Sequence, residues 1–363
     1  MRTSPYLAPR GSTWLPLVGA VAAVAVLAAV PAFVSNPYVL HIMILLFLSV
    51  IMGSAWNVVG GYAGQYSVGH AAYYGIGAYV TLIFMTQYQI MPWWGSWVAM
   101  AAALVVALVV GSITFRLRGP YFVLASIAVA EVIRLTVLNW KSLTNGAEGI
   151  LSGPIPRITI GETTIRFISK VPFYYVGLVM VVATVLANLA VQHSKLGYYF
   201  QAIREDQDAA HSLGINLTFH KNVALGISAV FTALAGSYYA LYVRFIDPST
   251  VLTIDISVQA VLICIIGGIG TVLGPVIGAV VLVALSETLR SNLITDLLIS
   301  LGAVSAESKV GAFLKEHLSH AHMLIYGILV VVVILFMPDG ILGWVRQAMR
   351  RRAQVAAAAG EKP

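Results

Sequence analysis

The chain has 363 residues, 59% of them hydrophobic and 10% charged, with a mean hydropathy of +0.89 and a formal net charge of +7. A soluble domain carries about 45–50% apolar and about 25% charged residues, so a soluble globular fold is excluded. The positive balance reads as loop charge that orients a membrane protein rather than as a nucleic-acid patch. The single cysteine, Cys264, rules out an intrachain disulfide, argues against a cysteine-based metal site and reads as a small core residue.

At about 20 apolar residues per span, the sequence predicts an all-α, polytopic bundle of about ten transmembrane helices. A cytoplasmic tail, 1–13, carries Arg2 and Arg10 and leads into the membrane-embedded body, 14–346. The spans are expected near 14–34, 38–59, 70–86, 93–115, 121–140, 171–191, 222–243, 254–266, 271–289 and 322–337. The first is longer than a signal-peptide core and reads as an uncleaved helix. The third is interrupted by glycines, and the eighth is short. An even number of spans places both termini on one side. The excess of basic residues, including Arg116, Arg118, Lys195, Arg204, Lys221 and Arg350 to Arg352, makes that side the cytoplasm, N-in and C-in.

The stretch 61–79 holds Gly61, Gly64, Gly69, Gly75 and Gly77, which argues for a broken or closely packed helix. Irregular backbone at membrane depth is tolerated only where protein buries it or where it lines a cavity. Gln65, Ser67 and His70 are therefore pathway candidates, with local helix packing as the alternative. Trp93, Trp94 and Trp97 mark an outer aromatic belt. In the fifth span, Glu131 and Arg134 stand three residues apart and can pair on one face. Each charge costs a span several times what a leucine contributes. The pair reads as a structural ion pair locking the bundle interior, with Glu131 as an alternative pathway residue.

The outer segment 139–170 contains an alternating run around Gly161 and Glu162 that predicts a short hairpin. A second outer segment, 291–321, has an amphipathic stretch of Val310, Phe313, Leu314 and Leu318. The histidines His317, His320 and His322 beside Glu316 read as an exposed interfacial loop, and no metal site is expected. Gly60–Gly69 and Gly267–Pro275 echo each other weakly as glycine-rich turns between apolar runs. The C-terminal segment, 347–363, is basic and then alanine-rich.

The charged segment within 193–221 is the most informative. Arg204, Glu205, Asp206 and Asp208 lie together, so the segment cannot sit in hydrocarbon. Tyr199, Ile203, Ala210 and Leu213 keep helical spacing on one side. The expectation is one short surface helix, 199–213, ended by Gly214, serving as a docking element. No phosphate-binding loop occurs, and the glycines near 268–274 lack dinucleotide spacing. No catalytic residues and no resident cofactor are expected.

Several blocks in order resemble one family: NVVGGYAGQYSVGHAAYYGIGAY, FRLRGPYFVLASIAVAEVIRL, LTNGAEGI, GYYFQAIREDQDAAHSLGIN, IIGGIGTVLGPVIGA and MPDGILG. Together they resemble the M-type branched-chain amino acid permease of bacterial ABC importers. The charged segment resembles its coupling loop, with Asp208 where the loop's name has glutamate. The resemblance implies an inner-membrane permease subunit, not an enzyme, that forms half of a pathway with a second, H-type permease. Two ATPase subunits would bind ATP and Mg, and a periplasmic solute-binding protein would deliver the solute. It implies ATPase coupling through Phe200, Ile203, Arg204, Glu205, Asp206, Asp208, Ala209, Ala210 and Gly214. Urea, amides and aromatic acids stay open as substrates within the same family. A stand-alone secondary transporter using Glu131, Glu287 and His70 is the alternative from another class.

Overall fold

The structure is a computed structural model that describes residues 14–290, apart from positions 35, 156, 157, 161, 162, 166 and 168, together with scattered positions between 327 and 349. Expectations for 1–13, for 291–321 with its histidines, for most of 322–337 and for most of the C-terminal segment lie outside the described residues.

In chain order the elements are α1 (Trp14–Phe33), α2 (Pro37–Trp56), a π-helical segment (Asn57–Tyr62), α3 (His70–Thr86), α4 (Pro92–Thr114), α5 (Pro120–Asn139) and α6 (Lys141–Thr144). A 3-10 turn (Gly146–Glu148) leads to β1 (Ile150–Leu151), β2 (Ile158–Ile160), β3 (Thr163–Ile165) and α7 (Lys170–Gln192). Then come α8 (Lys195–Glu205), α9 (Gln207–Ser212), α10 (Leu217–Val243), β4 (Phe245–Ile246), α11 (Pro248–Val251), α12 (Ile254–Gly267) and α13 (Gly274–Arg290).

Each apolar run expected to span between 14 and 289 is helical. Among the described residues, 6 helices are long and apolar enough to cross a membrane: Pro37–Tyr62, Pro92–Thr114, Pro120–Asn139, Lys170–Gln192, Leu217–Val243 and Pro248–Gly267. The last extends the short eighth span through α11. The third expected span is not interrupted: α3 is continuous, and the break lies just before it. Proline opens α2, α4, α5 and α11 in the first turn, where a missing N–H costs nothing.

Helix α10 is the hub, packed most extensively on α3 and α4, while α2 gathers α7, α12 and α13. The α3–α10 contact depends on absent side chains. A Cβ on Gly77 would meet the carbonyl of Ala233, and one on Gly236 would meet the carbonyl of Tyr74. Helix α1 lies on α7 through a polar repair. Pro31 has no N–H to give the Leu27 carbonyl four residues back. The Tyr174 hydroxyl donates to that carbonyl at 2.6 Å, and Tyr175 donates to the next, Ala28, at 3.2 Å.

At the end of the bundle away from α8 and α9, β1 pairs antiparallel with β4, Ile150 opposite Ile246. Arg244, in a left-handed conformation, donates from Nη2 to the Phe167 carbonyl at 2.8 Å. The hairpin expected around Gly161 is present, with Ile158 opposite Ile165 and Ile160 opposite Thr163. Trp94 and Trp97 are exposed as a belt requires, but Trp93 turns inward onto Phe167. Cys264 is buried, its thiol donating to the Gly53 carbonyl at 3.0 Å.

Candidate functional site

The charged segment is two helices, not one. Asp206 leaves helical geometry (φ −155°, ψ 116°) and its carboxylate accepts from the N–H groups of Asp208 and Ala209 at 2.9 and 3.0 Å. It is the N-cap of α9, so the chain turns between Glu205 and Gln207. The expected apolar stripe is half right. Ile203 and Ala210 are buried, but Tyr199 is 39% and Leu213 81% exposed. Phe200, at 0% exposure, takes the anchoring place with Ile203. Gly214 (φ +84°) ends α9 as expected, its N–H donating to the His211 carbonyl.

The segment is clamped from beneath. Gln207 accepts from buried Lys221 of α10 at 2.8 Å, and Asp208 pairs with Arg118 of the α4–α5 turn at 3.0 Å. Glu205, Ala209 and Leu213 face outward, as do Tyr198 and Phe219, which the sequence reading missed. Arg204, itself exposed, reaches back toward the bundle. Its Nη1 donates to the carbonyl of Gly61 at 2.7 Å, and its stem lies on Gly64.

That contact joins α8 to the break in the α2–α3 chain. After the π-helical segment the backbone is irregular from Ala63 to Gly69, with Gly64 at φ +67°, a conformation that favours glycine. Side chains satisfy its polar groups. Ser126 Oγ accepts from Val68 N–H at 3.0 Å, Trp56 Nε1 donates to the Ser67 carbonyl at 2.7 Å, and Ser257 Oγ accepts from Ala71 N–H at 2.8 Å. His70 Nε2 lies 2.7 Å from Ser228 Oγ. The second glycine-rich segment reaches the same place. Asn57 Nδ2 donates to the Thr271 carbonyl at 2.9 Å, and its Oδ1 accepts from Gly270 N–H at 2.9 Å. The two echoing segments are thus spatial neighbours, and Gly340, from the last matching block, packs on Gly268.

A cleft of about 580 Å³ opens beside this junction, lined by Gly64, Gln65, Tyr66, Pro120, Leu124 and Gln207 among others. It brings together Gln65, the start of α5 and the charged segment. Ser67 and His70 are buried behind it, on a cavity wall and a helix contact. Glu131 and Arg134 do pair, at 2.6 Å, but on an open face of α5 rather than in the bundle interior. The span Pro120–Asn139 is 17% buried, the least of the six. Glu287, near the far end of α13, accepts from the Tyr38 hydroxyl at 3.1 Å. Among the described residues, no group of three metal-ligating side chains occurs.

The family described as branched-chain amino acid transport system / permease component matches residues 38–334. The high-affinity branched-chain amino acid transport system permease protein LivM of Escherichia coli K12 is 29% identical over 287 residues, 74% of this chain and 67% of that protein. LivM of Salmonella typhimurium is 30% identical over 264 residues, covering 66% of this chain, which spans only 61% of that relative's length. The permease protein LivH of E. coli K12 is 26% identical over 310 residues, 81% of this chain and 90% of that protein. A solved structure, PsaBC from Streptococcus pneumoniae in complex with Fab, is similar at a TM-score of 0.43 and 11% identity, over 88% of this chain and 97% of that one. With the match running through the glycine breaks, α5 and the charged segment alike, the chain belongs to the branched-chain amino acid permease family.

Proposed function

We propose that this chain is a permease subunit of an ATP-binding-cassette importer in the bacterial inner membrane, forming half of the pathway for branched-chain or other hydrophobic amino acids. The observation that carries this is the two-faced charged segment. Phe200, Ile203 and Ala210 anchor it in the bundle, while Glu205, Ala209 and Leu213 stand free on the opposite side. A helix pair rooted in spans and open outward suits a partner that pushes on it. ATP and Mg belong to two partner ATPase subunits, and this chain does no covalent chemistry.

The topology is about ten spans with both termini in the cytoplasm, which sets α8 and α9 on the ATPase side. The open face of α5, with its ion pair, is where a second, H-type permease closes the pathway. That assignment explains a charged pair on a span that the described residues leave uncovered. Gln65 and Glu131 are the pathway residues on that side, with Ser67 and His70 holding the backbone behind them. A periplasmic binding protein delivers solute at the opposite rim. The likeness to LivM, a branched-chain amino acid permease, supports branched-chain amino acids over urea, amides or aromatic acids.

Affinity purification of the tagged chain from its native membrane tests this. Recovery of a second permease and two ATPase subunits is the expected result. A chain recovered alone, supporting uptake after ATP depletion, would overturn it in favour of a secondary transporter.

A further inference from the structure

We infer that Arg204 is the transmission residue between the charged helices and the membrane domain, and that it works by holding two glycine turns together rather than by docking a partner. The inference rests on the importer reading above and adds a route for the motion.

Three observations meet at one point. Arg204 is the last but one residue of α8, and its side chain runs back toward the bundle, Nη1 donating to Gly61 at 2.7 Å. Its stem packs on Gly64 and its guanidinium lies against Gly270. Any side chain at either glycine would displace it, and both have positive φ, +67° and +77°. Asn57, at the start of the π-helical segment that carries Gly61, holds that segment to the turn at Gly270 and Thr271 through both ends of its amide. The junction therefore joins the α2–α3 break, the α12–α13 turn and α8, three parts of the chain far apart in sequence.

The chemistry suits a part that moves. A guanidinium donating to a backbone carbonyl is charge-assisted and directional, yet it is one bond, quickly remade. It bonds the π-helical end of the α2 span and packs on the irregular stretch that follows, which has few regular helical hydrogen bonds and can shift without unwinding α3. A rotation of α8 would draw Gly61 and Gly64 along, and with them Gln65 at the cleft. Glu205, the next residue, points outward. Adjacent residues thus face the partner and the pathway, as a lever requires.

The experiment uses the full importer, reconstituted in lipid, with nitroxide labels on Tyr66→Cys and Leu273→Cys, both exposed positions flanking the junction. Substrate uptake, ATP hydrolysis, recovery of ATPase subunits and the label distance with and without a trapped nucleotide are read together. In Arg204→Ala, ATPase recovery and hydrolysis stay within about two-fold of the parent, while uptake falls about ten-fold or more and the nucleotide-dependent distance change disappears. Arg204→Lys, which can still donate to the Gly61 carbonyl, recovers part of both. If Arg204→Ala fails to accumulate in the membrane, Arg204→Met, which keeps the apolar stem on Gly64 and removes the donor, carries the same comparison. Loss of ATPase recovery in step with uptake would make Arg204 a docking residue and overturn the inference. So would normal coupling in Arg204→Ala, or a distance change that persists. An unsubstituted chain that recovers no ATPase subunits defeats the importer reading itself, a result independent of the variant.

Discussion

Glu131 and Arg134 form a bidentate pair, with Arg134 Nε 2.8 Å from Oε2 and Nη2 2.6 Å from Oε1, on a face of α5 that the described chain leaves open. Two charges one turn apart in an apolar helix are tolerable together and costly singly, because each then lacks its counter-ion. Glu131→Gln and Arg134→Gln, made alone, should each lower the membrane-inserted amount several-fold, and the double variant should return it to within about two-fold of the parent. Quantifying inserted chain by blotting of purified membranes checks this. If the double variant is as poor as the sum of the singles, the pair is not what makes the face acceptable. Normal insertion of the double variant with lost uptake would place Glu131 in the pathway.

Asp206 and Glu205 are neighbours with different work. Asp206 caps α9, so Asp206→Asn should be nearly silent, while Asp206→Ala should cost about 1 kcal/mol of local helix stability and weaken ATPase recovery. Glu205→Lys leaves the cap intact and reverses a free charge. It should reduce recovery of ATPase subunits several-fold with the permease still folded. Unchanged recovery in Glu205→Lys would remove this face from the interface.

Gln65 lines the cleft, whereas His70 is bonded to Ser228 behind it. Gln65→Ala should shift the apparent KM for uptake about three-fold or more at unchanged chain level, and His70→Ala should lower chain level at unchanged KM. Uptake kinetics normalised to the amount of chain separate the two. A KM change confined to His70→Ala would reverse the assignment.

Gly236→Val would drive a side chain into the Tyr74 carbonyl across the α3–α10 contact. Overpacking against backbone costs roughly 1–3 kcal/mol or more, so the unfolding midpoint in detergent should fall by several degrees. A melting curve unchanged from the parent would mean the two helices are not packed this closely.

Tyr174→Phe keeps the ring and deletes the donor to the Leu27 carbonyl that Pro31 leaves unpaired. A buried carbonyl without a donor costs about 1–3 kcal/mol, so α1 should detach more readily. Limited proteolysis near residue 33, faster in the variant than in the parent, is the expected sign. Equal cleavage rates would show the carbonyl to be satisfied otherwise.

The sequence announced what composition and local period can announce. Long apolar runs became helices, and Ile158 to Ile165 became a hairpin because alternation and the Gly161 turn are local signals. The charged segment stood out because hydrocarbon rejects it. Its division at Asp206 was legible in principle, since an aspartate before Gln-Asp-Ala-Ala is an N-cap signal, but the continuous helical spacing masked it. The burial of Phe200 in place of Tyr199 was a tertiary choice, made by the cluster of Val58, Tyr62 and Leu225 that receives its ring, while the exposure of Leu213 follows the phase reset at Asp206. The role of Asn57 was not legible, because its partner Gly270 lies 213 positions away and no local pattern points to it. Nor was the open face of α5, where what matters is what does not pack against it.

The π-helical segment at Asn57–Tyr62, where Ala63 N–H reaches back to the Val58 carbonyl, has a further consequence. A π turn accommodates an extra residue in a helix that otherwise advances about 100° per residue. The extra residue is absorbed within that one turn, which is what keeps Gly64, Gln65 and Ser67 where they are relative to α2. Removing one residue from α2 itself, before position 57, would leave the composition of the span almost unchanged and yet swing those residues about a quarter-turn around the axis. Gly61 would turn from Arg204 and Ser67 from Trp56. The widened turn is the one place where the spacing has some slack, because a residue lost there lets it close to an ordinary α turn.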